Sequence, residues 1–106
     1  MKLLSLVILL LPALAPAEDA LIATAANFRT TLNSLVAEFE ARTTYRLTVV
    51  SGSTGQLYAQ FLNGAPFDVF LSADQARPGL LEGGQYAVAG SRSTYAVGRL
   101  AVVGYE

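Results

Sequence analysis

An α/β fold built on a parallel sheet is predicted by three observations on the 106-residue chain. Short apolar runs rich in β-branched residues alternate with stretches of helical periodicity. Each run gives way to small and polar turn residues directly before the next helical stretch. The spacing of the units suits strand–helix–strand crossovers between parallel neighbours.

The elements follow in order. Residues 3–14, LLSLVILLLPAL, lie between Met1-Lys2 and Ala15-Pro16-Ala17. A basic start, a short apolar core and an A-x-A site describe a secretory signal peptide over 1–17. A membrane span needs about 20 apolar residues, more than this run supplies. Cleavage after Ala17 leaves six Arg and eight acids, a net charge of −2. ALIATA, 20–25, reads as a buried strand. Ala25-Ala26-Asn27 is a bend, with Asn27 as the expected N-cap of a helix whose apolar face is Phe28, Leu32, Leu35, Val36 and Phe39. That helix is expected to end near Arg42.

YRLTVVS, 45–51, reads as the second strand and Gly52-Ser53-Thr54-Gly55 as a tight loop. Leu57, Tyr58, Phe61 and Leu62 mark a short helix closed by Asn63-Gly64. A third strand is expected over Asp68-Val69-Phe70-Leu71-Ser72. Beyond it, Ala73 to Glu82 reads as two helical turns interrupted by Pro78 and Gly79, and Gly83-Gly84 as a turn. A last strand is expected around Leu100-Ala101-Val102-Val103. Tyr45, Tyr58, Phe61, Phe67 and Phe70 are assigned to the core. Because the sequence stops after an apolar strand with nothing to cover it, 18–106 is read as one lobe of a larger protein whose second lobe is missing.

Composition narrows the chemistry. With seven basic and eight acidic residues and a pI near 5.3, the chain lacks the basic footprint of a nucleic-acid binder. It has neither His nor Cys, which removes thiolate chemistry, His-dependent triads and the commonest metal ligands. A phosphate loop of the GxxxxGK[ST] kind needs a Lys, and the only one is Lys2. Ser53 has neither a nucleophile-elbow motif nor a His base. Glu38 and Glu40, two apart on a helix, diverge. No catalytic residue, protein-held metal or resident cofactor is expected.

In an open parallel sheet, ligands gather beyond the C-terminal ends of the strands. Two strand-to-helix turns arrive there, one with Ala26 and Asn27, the other with Ser53, Thr54 and Gly55. Both present unpaired N–H groups at the positive end of a helix dipole. Together they form a candidate site for an oxyanion bound by neutral donors. The same residues are also the ordinary vocabulary of turns and caps. Ser72-Ala73-Asp74 reads as a cap with a first-turn acid, Asp68 as a loop-anchoring residue, and Arg29 as a solvated helix position.

At these residues the sequence resembles the N-terminal lobe of the periplasmic molybdate-binding proteins of ABC transporters. The strings that carry the likeness are Gly52-Ser53-Thr54-Gly55-Gln56-Leu57 and Asn63-Gly64-Ala65-Pro66-Phe67-Asp68-Val69-Phe70-Leu71-Ser72-Ala73-Asp74, a GAPxDxFxSAD pattern. The resemblance runs from residue 20 to about 105. It implies lobe I of a type II solute-binding protein: two α/β lobes closing on molybdate or tungstate held by hydroxyls and backbone N–H groups. It also implies delivery to membrane permease subunits by a monomer in the periplasm. The family's serine after the first strand is matched by Asn27, and the one after the second strand by Thr54 with Ser53 beside it. Further ligands in the family, including a Tyr, come from the second lobe and are not assigned to Tyr86, Tyr95 or Tyr105. The alternatives are a receptor for sulfate, phosphate or another small anion, an exported α/β enzyme with its catalytic groups elsewhere, and a single-lobe fragment without function.

Overall fold

The computed structural model describes residues 19–104. The signal-peptide reading, on 1–17, lies outside the described residues, as does Tyr105. Three parallel strands form one sheet in the order β2-β1-β3: β1 (Asp19–Ala25), β2 (Arg46–Gly52) and β3 (Val69–Leu71). Helices α1 (Arg29–Arg42), α2 (Thr54–Leu62) and α3 (Ala76–Gly83) alternate with them, and a 3-10 turn, Ala26–Phe28, joins β1 to α1. None of the described helices is long and apolar enough to cross a membrane.

The central strand carries the core. Ile22, Ala23, Thr24 and Ala25 of β1 are buried, as are Leu32, Leu57 and Leu81 from the three helices. A parallel strand with neighbours on both edges and helices on its faces has no wet side, which is why β1 is a continuous apolar run rather than an alternating one. The one polar member, Thr24, turns its hydroxyl to the Ala25 carbonyl at 3.3 Å. Helix α1 packs on β2, while α2 packs on β1 and β2 and touches α3. The end of α1 is tied to the sheet by Leu47 N–H, which donates to Glu40 Oε1 at 2.8 Å.

Several expectations need correction. Asn27 does not cap α1. It sits inside the 3-10 turn, and Phe28 occupies the cap position without a side-chain hydrogen bond. Of the expected apolar face of α1 only Leu32 is fully buried; Leu35 and Phe39 stand half in solvent. The aromatics do not form the core either. Phe61 packs against Phe67 and Phe70 at ring-centroid distances of 5.8 and 6.2 Å, half-buried along the outer strand, and Tyr45 lies on exposed Phe39. The leucines of the three helices fill the core beside β1, and the bulky rings fall outside it.

Pro78 and Gly79 do not interrupt α3. Pro78 is its third residue, where the N–H it lacks would have had no intrahelical partner. The loop expected over Gly52–Gly55 is shorter than a loop: Gly52 ends β2 and Thr54 already opens α2. Finally, Leu100–Val103 is not a strand. It has no regular structure, and Leu100 and Val102 are fully exposed.

Candidate functional site

Strand register sets the site. Ala25 pairs with Gly52, and Thr24 pairs with Leu71, so all three strands finish level at one edge of the sheet. Neighbouring strands lie about 4.8 Å apart, so the residues leaving them emerge as near neighbours. The turn after β1 brings exposed Ala26 and Asn27 to this edge; the turn after β2 brings Ser53, Thr54 and Gly55. The structure thus gathers all five predicted site residues at the same end of the sheet.

Their donors differ in how committed they are. Ser53 is the true N-cap of α2: its Oγ accepts Gln56 N–H at 3.2 Å, and its carbonyl accepts Leu57 N–H at 3.0 Å. That leaves the Thr54 and Gly55 N–H groups without intrahelical acceptors, and the Ser53 hydroxyl proton still to donate. Thr54 Oγ1 accepts Ala73 N–H at 3.1 Å, so its own proton likewise remains a donor. Among the described residues no hydrogen bond engages the Asn27 side chain, whose amide offers two donors. The opened first turns of the 3-10 turn and of α2 add the positive ends of their peptide dipoles. This arrangement can take a compact anion through several directed, uncharged donors.

The third turn, after β3, carries a side-chain network of its own. Asp74 is not a first-turn acid of α3. It precedes the helix and accepts Arg77 N–H on Oδ1 at 3.0 Å and Arg77 Nη1 on Oδ2 at 2.5 Å. Ser72 serves Asp74 rather than the helix: its Oγ accepts Asp74 N–H and donates to Asp74 Oδ1, each at 3.2 Å. These partners, the Arg77 N–H foremost, hold the Asp74 carboxyl below its ordinary value of 3.8 despite partial desolvation. The guanidinium of Arg77 reaches back to α2, with Nη2 3.4 Å from where a Cβ on Gly55 would stand. The Asp74-x-x-Arg77 spacing was the signal available for this pair.

Asp68 anchors β3 to β1, as read, and Arg29 is a solvated helix position. Tyr95 closes over the edge from the far side, its ring 5.0 Å from that of Phe28 and its hydroxyl donating to the Ser72 carbonyl at 3.4 Å. A cleft of about 920 Å³ runs beside β3, lined by Phe61, Phe67, Val69, Leu81, Tyr86 and Tyr95 among others; it borders Ser72–Asp74 and contains none of the five predicted donors.

Residues 20–105 match the model of a family described as bacterial extracellular solute-binding protein. The chain belongs to that family. Among its relatives, the molybdate-binding protein ModA of Azotobacter vinelandii is 45% identical over 91 residues, which are 86% of this chain and 36% of that protein. The ModA of Rhodobacter capsulatus is 45% identical over 86 residues, 81% of this chain and 34% of the relative. The solved periplasmic molybdate-binding protein of Azotobacter vinelandii superposes with a TM-score of 0.70 at 43% identity, covering 72% of this chain and 33% of that one. A substrate-binding domain of a putative molybdenum ABC transporter from Clostridium difficile gives a TM-score of 0.62 at 28% identity, over 65% of this chain and 31% of that one. The chain therefore spans about a third of the length of these relatives. Membership in a family of solute-binding proteins agrees with the expectation of a binding protein rather than an enzyme, and the superposition agrees with the expected α/β fold.

Proposed function

We propose that this solute-binding protein captures molybdate, or its congener tungstate, in the periplasm and delivers it to the permease of an ABC importer. The observation that carries the reading is the pairing of Ala25 with Gly52, which levels two open helix starts and their short polar side chains at one edge. Asn27, Ser53 and Thr54, with the backbone N–H groups of Ala26, Thr54 and Gly55, are the donors on this lobe. The likeness to molybdate-binding relatives supports a choice of ligand that geometry alone leaves open. The anion is cargo, the reading calls for no resident cofactor, and the protein works as a monomer with the permease as partner.

A tetrahedral dianion needs many donors and gains little from a single fixed charge when it must later be released. Neutral hydroxyl and amide groups meet that need and let cavity size discriminate between oxyanions. The same neutrality supports the second reading, a receptor for sulfate or phosphate. Calorimetric titration of the complete protein with molybdate, repeated in excess sulfate or phosphate, tests the two. Saturable molybdate binding that neither competitor displaces supports molybdate; equal displacement by sulfate gives the site to the second reading. A Thr54→Val protein is expected to lose about tenfold or more in affinity, one hydrogen bond to a charged group.

A further inference from the structure

Thr54 is the one predicted donor whose hydroxyl is already engaged by another element. Ala73 N–H donates to its Oγ1 at 3.1 Å across nineteen residues of sequence. A hydroxyl has one proton and two lone pairs. With one lone pair taken by Ala73, the proton must point away from the third turn. Without that bond the hydroxyl would rotate freely and spend part of its time as an acceptor, a repulsive orientation toward an oxyanion.

The turn that carries Ala73 is itself braced. Ser72 Oγ and Asp74 exchange two hydrogen bonds of 3.2 Å, and Asp74 Oδ1 takes Arg77 N–H at 3.0 Å. Asp74 Oδ2 takes Arg77 Nη1 at 2.5 Å, and the guanidinium so held lies beside Gly55, with Nη2 3.4 Å from where a Cβ there would stand. The bonded contacts run from Thr54 to Ala73 and, through the same turn, from Ser72 to Asp74 and from Asp74 to Arg77. A simple cap of α3 would need only the Asp74 carboxylate and the Arg77 N–H. The side-chain pair between Asp74 and Arg77 and the bonds to Ser72 are surplus to capping, and they stiffen the turn whose Ala73 N–H joins it to Thr54.

We propose that Asp74 and Arg77 are positioning residues for the oxyanion site, bracing the third turn so that it holds Ala73 N–H on Thr54 and commits the Thr54 hydroxyl to donating. The brace adds geometry rather than charge, since the Asp74 carboxylate offsets the guanidinium. This rests on the functional reading above.

The test is a calorimetric double-mutant cycle in the complete protein, with sodium molybdate as the probe. Asp74→Ala is expected to weaken binding severalfold and Thr54→Val about tenfold, with the double variant no weaker than Thr54→Val alone, because Asp74 acts through Thr54. Losses that multiply in the double variant, or an Asp74→Ala protein that binds as wild type does, overturn the proposal while leaving the functional reading intact. Wild-type protein that binds no molybdate overturns both. Should Asp74→Ala fail to fold, Arg77→Met keeps the carboxylate cap on the residue-77 N–H and removes only the ion pair that braces the turn. It is expected to weaken molybdate binding severalfold and to speed hydrogen exchange at Ala73 N–H. Wild-type affinity and exchange in Arg77→Met refute the brace.

Discussion

Leu21 and Asp68 grip each other twice: Asp68 N–H donates to the Leu21 carbonyl at 2.8 Å, and Leu21 N–H donates to Asp68 Oδ2 at 2.7 Å. The carboxylate takes the place of a ladder carbonyl at the entrance of β3. It thereby sets the register that pairs Ile22 with Val69 and Thr24 with Leu71. A slip of one residue would turn the side chains of β3 to the opposite face and carry Ser72 and Ala73 away from Thr54.

Replacing Asp68 by Ala should therefore lower stability by about 1–2 kcal/mol, the loss of a hydrogen bond plus some unpaired backbone. Asp68→Asn keeps an acceptor and should cost less. Urea unfolding followed by far-UV circular dichroism measures both; equal stability of Asp68→Ala and wild type would remove the clamp from the account.

The buried leucines of the helices and the exposed ones of the C-terminal run should part company. Leu57 and Leu81 are 1% and 2% exposed, and either one changed to Ala should cost about 2–5 kcal/mol. Leu100, wholly exposed, should tolerate the same change within about 0.5 kcal/mol. Thermal unfolding of the three variants checks the contrast.

Ser53 allows capping to be separated from binding. Ser53→Ala should destabilise by about 1 kcal/mol through loss of the bond to Gln56 N–H. Ser53→Asp restores the cap, and its charge favours the helix start. The same charge faces the proposed oxyanion, so Ser53→Asp should regain stability and lose molybdate affinity. Tight molybdate binding by Ser53→Asp would place the anion elsewhere.

Acid should act through Asp74. Its folded-state pKa lies below the ordinary 3.8, with Arg77 N–H as the leading cause. The stabilisation is complete above the ordinary value, fades as pH falls through the folded-state value, and is gone below it. Since the side chain is 35% exposed, the contribution is under about 1 kcal/mol. Wild type should exceed Asp74→Asn in stability at neutral pH, and the gap should close in acid. A gap that stays constant through a urea series at stepped pH would count against this ion pair.

The sequence shows β1, α1, β2 and α2 to within a residue or two, because each apolar run is bracketed by residues that start or stop a helix. Pro78 misled since its usual meaning, a break, reverses in the first turn of a helix, where no N–H is needed. The run Leu100–Val103 has strand composition, but composition specifies a preference for a pleated surface and not a neighbour to supply it. Asn27, Ser53 and Thr54 were visible as polar residues between a strand and a helix. The bond from Ala73 to Thr54 was not, because its donor is a backbone N–H that almost every residue owns. Only the register of three strands brings that N–H into reach.

Tyr95 leans on Phe28 from the first turn and on the Ser72 carbonyl from the third. The chain contains no tryptophan to swamp tyrosine emission. A phenol hydrogen-bonded to one turn and tilted against a ring of the other is sensitive to small changes in their separation. Thus the fold carries a native optical gauge at the edge where the strands end, readable without any attached label.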